Sequence, residues 1–292
     1  AQTHFSGSVL RLGDEMPPRK PIVSEELDAH IDEVIYGWET AGTRYDQCRA
    51  GMIAALLHAK EPLAIADWVK DAQYDGRGRV KYKPDVFHSE AVKKIVLDLL
   101  RQKQIIRVGR QSFCSKEVVI RMNEHINCIL LWTCGIMDIE DIAEKIITSK
   151  TEKIKKDRGF AEEKIIKEAI EYDSEGEDSG IMVLHDFAYV HRSTIEVCAN
   201  FVAGYASKMN RLMSDLEIVD AVNRGSIVGM DSQYDGRSVK AIRNAFMEPM
   251  IRSVVLERLL EQGVIDQQEG KFKAIPQEDK SQKYRSLDDP CW

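Results

Sequence analysis

The sequence predicts a mainly α-helical protein with short β-hairpins, an α+β fold made of three consecutive modules. Three observations lead to this prediction. A heptapeptide occurs twice, as DAQYDGR at residues 71–77 and DSQYDGR at residues 231–237, which indicates an internal duplication at an offset of 160 residues. At that same offset both copies continue into an amphipathic helical pattern. Each helical pattern is followed by a short β-forming stretch around a glycine, which is typical of a β-hairpin.

The duplicated helix places its apolar residues where a helix packed on a core needs them. In each copy they recur at intervals of three and four residues, which puts them on one face. The aligned apolar pairs are Ile95 with Val255, Val96 with Leu256, Leu99 with Leu259 and Leu100 with Leu260, whereas Val92 is aligned with Arg252. Gly263 stands where the second helix is expected to end. Hairpins are predicted to follow over 105–115 and 264–275.

The repeated QYDGR motif is predicted to be a turn rather than an active site. Gly tolerates a positive φ and Asp bonds to nearby backbone amides, so an Asp-Gly pair reverses the chain. Two interpretations stay open for Arg77 and Arg237. Either arginine pairs with a local carboxylate, or it contacts a phosphate of a nucleic-acid backbone.

A third module is predicted between the two copies. An apolar helix begins near Ile126, Asp138 caps a second helix, and a third helix spans 161–172. The segment 180–191 is rich in β-forming residues and is predicted to be a strand or hairpin. Capping boxes of the form Ser-x-x-Glu, at 193–196 and 214–217, are predicted to open the next two helices.

The order of helix, short helix, turn, longer amphipathic helix and β-hairpin resembles the winged-helix family, a helix-turn-helix with a two-stranded wing. The first copy supplies these elements at 44–59, 65–72, 74–77, 89–103 and 105–115. It departs from the family pattern in the long segment GRGRVKYKPDVF between its second and third helices. The resemblance implies three tandem winged-helix-like domains.

The predicted organisation has six segments. Both ends are polar and proline-containing, which is typical of tails. The segments are an N-terminal tail (1–22), an N-terminal helix capped by Ser24 (23–43), three winged-helix-like domains (44–120, 121–193 and 194–275) and a C-terminal tail (276–292).

Composition bounds the function classes. A net charge of −7 argues against a protein that coats nucleic acid with its whole surface, although it leaves room for a local basic patch. The sequence has no apolar run near the roughly 20 residues that span a bilayer, and its first residues lack the pattern of a secretory signal. The six cysteines have no C-x-x-C spacing. Buried, reduced thiols are therefore expected at Cys48, Cys128 and Cys198. Reduced thiols are typical of the nucleus and the cytoplasm, and we expect the protein in one of these compartments.

Catalytic motifs are missing from the sequence. Phosphate-loop, dinucleotide-binding, zincin and nucleophile-elbow patterns do not occur. His185 and His191 share one side of a predicted strand, but further metal ligands at recognisable spacing do not accompany them. We therefore expect neither an enzyme nor a cofactor or metal site.

The strongest functional signal is a basic segment. Between Arg77 and Arg110, ten basic residues stand against three acidic ones, a local net charge of +7. This segment coincides with the predicted turn, third helix and wing, through which winged helices meet DNA. The alternative is a solvated basic face or one that docks an acidic partner. The basic residues are Arg77, Arg79, Lys81, Lys83, Lys93, Lys94, Arg101, Lys103, Arg107 and Arg110.

The other two modules differ in charge. The middle module has a second basic cluster at Lys150, Lys153, Lys155, Lys156 and Arg158. The third helix of the last module balances its arginines with glutamates, so this module is expected to bind protein rather than phosphate.

Two functions follow as hypotheses. The first is a non-enzymatic factor that binds nucleic acid, expected to be duplex DNA, through the first module and the middle cluster. The second is a scaffold or adaptor whose winged helices dock other proteins in a larger assembly, with the third module as the docking site. Homodimerisation through an apolar face at 126–136 stays open.

Overall fold

The computed structural model describes seven stretches of the chain. They are 43–74, 79–174, 180–184, 188–209, 211–223, 233–234 and 237–275. Over these residues the fold is mainly helical with small antiparallel sheets, which confirms the predicted α+β class. The predicted N-terminal helix, both tails, Arg77 and His185 lie outside the described residues.

The described chain forms two compact units. The first comprises residues up to His58 together with Leu63–Gln104, and the second comprises Ala59–Pro62 and residues from Ile105 onwards. In the first unit the elements are α1 (Arg44–His58), β1 (Leu63–Ala64), α2 (Ile65–Ala72), a 3₁₀ turn (Pro84–Phe87) and α3 (Ser89–Arg101).

The core of the first unit lies between its three helices. Met52 on α1, Trp68 on α2 and Ile95 on α3 are fully buried, and the Trp68 indole N–H donates to the backbone carbonyl of Met52. The apolar stripe predicted for α3 is therefore its buried face, and the charged residues between the apolar positions point outward.

The second unit contains two further sets of helices and hairpins. The first set is β2 (Ile105–Val108), β3 (Ser112–Ser115), α4 (Lys116–Thr133), α5 (Ile139–Thr148), α6 (Glu152–Lys156), a 3₁₀ turn (Arg158–Phe160), α7 (Glu163–Ser174), β4 (Ile181–Val183) and β5 (Tyr189–His191). The second set is α8 (Arg192–Met209), α9 (Asp215–Asn223), β6 (Gln233–Tyr234), β7 (Arg237–Ser238), α10 (Val239–Met247), α11 (Pro249–Glu261), β8 (Ile265–Gln268) and β9 (Lys271–Ala274).

One element order recurs three times along the chain. We name the segments 44–115, 116–191 and 192–275 the first, second and third repeats. Each has a long helix, a short extended segment, a second helix, a later helix and a closing antiparallel hairpin. The hairpin of one repeat runs directly into the long helix of the next.

In the second and third repeats the short extended segment pairs with the hairpin that closes the same repeat. Met137 exchanges both backbone hydrogen bonds with Tyr189, at 3.0 and 2.8 Å. Met213 does the same with Phe272, at 2.8 Å each way. Each repeat thereby ties its first half to its hairpin through an antiparallel bridge.

Of the helix starts predicted at Asp138, Ser193 and Ser214, the first and the last form as capped ends. Asp138 accepts a hydrogen bond from the Asp141 amide at 2.8 Å, as an N-cap does. Ser214 and Glu217 bond each other's amides, and the hydrogen bonds from Ser214 and Arg211 lower the pKa of Glu217 to about 2. Ser193 does not cap α8, because that helix begins at Arg192. The Ser193 amide donates instead to the ring of His191.

The second repeat corrects three expectations. Its first helix begins at Lys116, ten residues before Ile126, because Val118, Val119 and Met122 continue the apolar stripe toward the hairpin. Its third helix spans Glu163–Ser174 instead of 161–172. Cys128 is exposed rather than buried, since it lies between the buried positions of α4.

Among the described helices, none is both long enough and apolar enough to cross a bilayer.

Candidate nucleic-acid interface

Residues 79–83 pack against the rest of the first unit through Tyr82, their one aromatic residue. The Tyr82 side chain is buried and meets the Phe87 ring edge-on, with the ring centroids 6.3 Å apart. The backbone amides of Lys81 and Tyr82 donate to the carbonyl of Gln73 at 2.8 and 3.3 Å. Because side chains alternate along an extended segment, Lys81 and Lys83 face solvent.

Gly51 makes room for this arrangement on α1. A Cβ atom at Gly51 would lie 2.6 Å from the carbonyl oxygen of Ala72 and 3.0 Å from the Tyr82 ring. The close approach of α1, α2 and the Tyr82 segment therefore needs a residue without a side chain.

The solvent face of α3 carries the next group of predicted cations. Lys93, Lys94 and Arg101 are exposed and surround Leu97, which is 43% exposed. The Lys94 ammonium lies 5.2 Å from the centre of the Tyr45 ring on α1, a cation–π distance. The ring holds Lys94 near the N-terminal end of α1.

Tyr45 also engages the acidic residue of this face. Its hydroxyl donates to Asp98 Oδ2 at 3.0 Å, while Arg101 Nη1 lies 3.9 Å from Asp98 Oδ1. Burial and the Asp98 carboxylate raise the pKa of Tyr45, so the hydroxyl stays a proton donor at neutral pH. Asp98 is thus partly satisfied by a neutral partner.

The remaining cations of the basic segment divide between the two units. Arg79 and Lys103 are exposed residues of the first unit. Arg107 and Arg110 are exposed on the β2–β3 hairpin, which belongs to the second unit. The Arg107 guanidinium lies 5.6 Å from the centre of the Phe113 ring.

The middle basic cluster is partly occupied by contacts within the second unit. Lys153 pairs with Glu124 at 2.8 Å, and Lys155 pairs with Glu152 at 3.0 Å. The Arg158 guanidinium donates to the backbone carbonyl of Ser149.

Lys156 of the cluster remains exposed. So does its neighbour Lys60, which the sequence did not indicate. Neither Lys156 nor Lys60 has an ion pair among the described residues, and both side chains face solvent. Gly159 contacts the backbone of Lys60 closely, which brings Lys60 beside the cluster.

A buried polar network supports this cluster and has no counterpart in the sequence analysis. Asp157 accepts hydrogen bonds from Arg121 Nε at 3.2 Å, from Arg121 Nη2 at 3.0 Å and from His125 Nε2 at 2.9 Å. Burial alone would raise the pKa of Asp157, but the hydrogen bonds from His125 and Arg121 outweigh it and hold the pKa below its ordinary value. The one available signal was the spacing of Arg121 and His125, a polar pair four residues apart on an apolar helix face.

Among the described residues of the third repeat, α11 offers no cationic face comparable to that of α3. On α11, Arg252 pairs with Asp215 at 3.4 Å and Arg258 pairs with Glu196 at 3.3 Å. Glu257 and Glu261 remain exposed on the same helix.

Among the described residues, no group of three His, Cys, Asp or Glu side chains could hold a metal ion. His191, considered above as a ligand, bonds to Ser193 at 2.7 Å. No protein-family model and no curated protein matches this sequence.

Proposed function

We propose that this protein is a non-enzymatic factor that binds nucleic acid, specifically duplex DNA, through the first of three tandem winged-helix modules. The single observation that carries the proposal is the pinned cationic surface of the first unit. Buried Tyr82 directs Lys81 and Lys83 outward, and the neighbouring helix α3 exposes Lys93, Lys94 and Arg101.

The recurring element order supports the winged-helix assignment. A helix pair followed by a later helix and a hairpin is the order of that family. The bridges Met137–Tyr189 and Met213–Phe272 join each closing hairpin to the first half of its own repeat, so each repeat is one structural module.

The chemistry of the surface fits phosphate binding. Exposed ammonium and guanidinium groups neutralise phosphates and release counterions, which makes affinity steeply dependent on salt. Lys81 and Lys83 would contact phosphates from an anchored backbone, and the α3 cations would lie along the groove. Arg107 and Arg110 are exposed on the hairpin of the second unit and would be a separate phosphate contact.

The middle cluster makes a smaller contribution in this proposal. Lys153, Lys155 and Arg158 would have to leave their present partners to reach phosphate. Lys156 and Lys60 are already exposed without ion pairs among the described residues. We place the secondary contact at these two lysines.

The test is DNA binding by the full chain as a function of salt, measured by fluorescence anisotropy with a short labelled duplex. The variant K81E/K83E is expected to weaken binding strongly and to lower the slope of log affinity against log salt by about two units, one per lost contact. The matched control is K271E/K273E, since Lys271 and Lys273 flank buried Phe272 as Lys81 and Lys83 flank Tyr82. Equal loss in both variants, or no binding by the wild type, would overturn the proposal.

A second candidate function is favoured by the third repeat. Because both arginines of α11 are engaged by carboxylates of their own repeat, the exposed face of that helix is acidic and suits a protein partner. In this alternative the protein is a scaffold or adaptor in a larger assembly. Absence of DNA binding together with retained binding to protein would favour it.

The thiols fit a reducing compartment, which we propose to be the nucleus or cytoplasm. Cys48, Cys114, Cys128, Cys134 and Cys198 are free, and Cys48 and Cys114 are buried with pKa values raised by burial to about 11 and about 12.

A further inference from the structure

We propose that the exposed face of α11 docks onto the exposed face of α3 of a second copy of this chain. Self-association would then occupy the α3 cations that also bind DNA, so a second copy of the chain and DNA would compete for this face. The competition rests on the proposed function, whereas the docking itself does not.

The two faces are equivalent in geometry. Helices α3 and α11 are both 13 residues long and align at the 160-residue offset. Their exposed residues therefore stand at matching positions and form stripes of the same shape. The matched pairs are Glu90 with Met250, Lys93 with Ser253, Lys94 with Val254, Leu97 with Glu257 and Arg101 with Glu261.

The two faces are opposite in charge. The α3 stripe carries Lys93, Lys94 and Arg101 against Glu90 and the half-buried Asp98, a net charge of +1. The α11 stripe carries only Glu257 and Glu261, a net charge of −2. The arginines of α11 do not offset this charge, because each is paired with a carboxylate of its own repeat.

Each stripe also carries apolar residues, near the middle of α3 and in the first half of α11. Leu97 on α3 is 43% exposed and Met250 on α11 is 37% exposed, with half-buried Val254 beside it. Exposed apolar side chains together with charges of opposite sign favour a specific helix–helix contact. A second copy of this chain supplies the complementary stripe for either helix.

Such a contact joins two different surfaces. A heterologous contact does not close on itself by a two-fold axis, so it predicts chains of molecules rather than a fixed dimer. Its charged pairs are exposed, so association is expected to be weak and to fade as salt shortens the screening length from about 10 Å at 0.1 M to about 3 Å at 1 M.

The test is sedimentation velocity of the full chain over a concentration series at low and high salt. Three charge-reversal variants accompany the wild type: K93E/R101E on α3, E257K/E261K on α11, and E140K/E144K on α5. The last is the matched control, since Glu140 and Glu144 are also exposed glutamates four residues apart. We expect concentration-dependent growth of the wild type and the control at low salt, and its loss in the other two variants.

Mixing the two affected variants gives the decisive result. An acidic α3 on K93E/R101E and a basic α11 on E257K/E261K are again complementary, so the mixture is expected to regain association. A wild type that stays monomeric at low salt, or a mixture that does not recover, would overturn the proposal.

DNA binding separates this proposal from the proposed function. E257K/E261K should bind the duplex at least as tightly as the wild type, and duplex should dissociate wild-type assemblies. If DNA binds while the wild type stays monomeric, the docking proposal alone fails. If assemblies form and recover on mixing while DNA does not bind, the docking stands and the DNA-binding proposal fails.

Discussion

Lys103 and Gly263 occupy the same left-handed backbone position, one residue beyond the C-caps of α3 and α11. Their φ angles are 52° and 64°. In both places the next amide bonds back to the helix, from Gln104 to the carbonyl of Leu99 and from Val264 to that of Leu259, each at 2.9 Å. This is the same Schellman ending, built once with glycine and once with lysine.

The first prediction is that K103G stabilises the protein. In the left-handed region a non-glycine residue costs about 1–2 kcal/mol of folding free energy. Glycine removes this cost but loses more backbone entropy on folding, which offsets part of the gain. We therefore expect K103G to raise the free energy of unfolding by about 0.5–1 kcal/mol. The reverse change G263K should destabilise by a similar amount. Thermal or urea unfolding of the full chain measures both.

The control for K103G is K83G. Lys83 has a φ of −67°, so glycine there relieves no strain and should only cost stability. Stabilisation by both variants would show that loss of charge, rather than backbone geometry, is the cause.

The second prediction concerns Gly51. G51A should destabilise the first unit by about 1–3 kcal/mol, because the added methyl group meets the Ala72 carbonyl and the Tyr82 ring. The matched control is G204A, since a Cβ on Gly204 in α8 meets nothing within 4 Å and alanine favours a helix. Equal effects of the two substitutions would contradict the packing described for Tyr82.

The comparison of sequence with structure shows which signals are local. The C-terminal end of α11 before Gly263 and the caps at Asp138 and Ser214 could be predicted, because each depends on residues within about five positions. Helix α3 was predicted over 89–103 and spans Ser89–Arg101, so its start was predicted and its end lies two residues earlier. The absence of a cap at Ser193 could not be predicted, because the Ser193 amide donates to the ring of His191.

The sequence predicted which residues the candidate site contains, but not which side chains contact one another. The alternation of Lys81, Tyr82 and Lys83 fits an exposed aromatic as well as a buried one, and only tertiary packing on Gly51 decides it. Likewise Lys153 looks available in sequence, but its partner Glu124 is 29 residues away. Pairings over such distances depend on how α4 and α6 pack, which periodicity does not determine.

The third prediction is that Asp157 makes the free energy of unfolding fall at acidic pH. Its pKa in the folded protein lies below the unfolded value, so its stabilising contribution is complete above the unfolded pKa of about 4 and is lost as pH falls through the folded one. D157N should lower the free energy of unfolding at neutral pH by on the order of 3 kcal/mol, because Arg121 is left without its buried partner.

The control for D157N is an exposed ion pair. E152Q removes a carboxylate that is 77% exposed beside Lys155, and its effect is expected to stay within about 0.5 kcal/mol. Urea unfolding at several pH values measures both variants. A wild type and D157N with parallel loss of stability below pH 4 would contradict the assignment of the acid response to Asp157.

The last prediction tests whether Tyr45 keeps the α3 face cationic. In Y45F the ring stays beneath Lys94, but the hydroxyl that donates to Asp98 is lost. Asp98 then gains a lone pair for Lys94 or Arg101, which neutralises positive charge that the DNA backbone would otherwise meet. We expect a few-fold lower affinity for duplex DNA at low salt, a smaller difference at high salt, and unchanged thermal stability within about 1 kcal/mol. The matched control is Y172F, because Lys116 lies 5.3 Å from the Tyr172 ring in the second unit and neither residue belongs to the proposed interface. Weakening by Y45F that is independent of salt would assign Tyr45 a packing role instead of an electrostatic one.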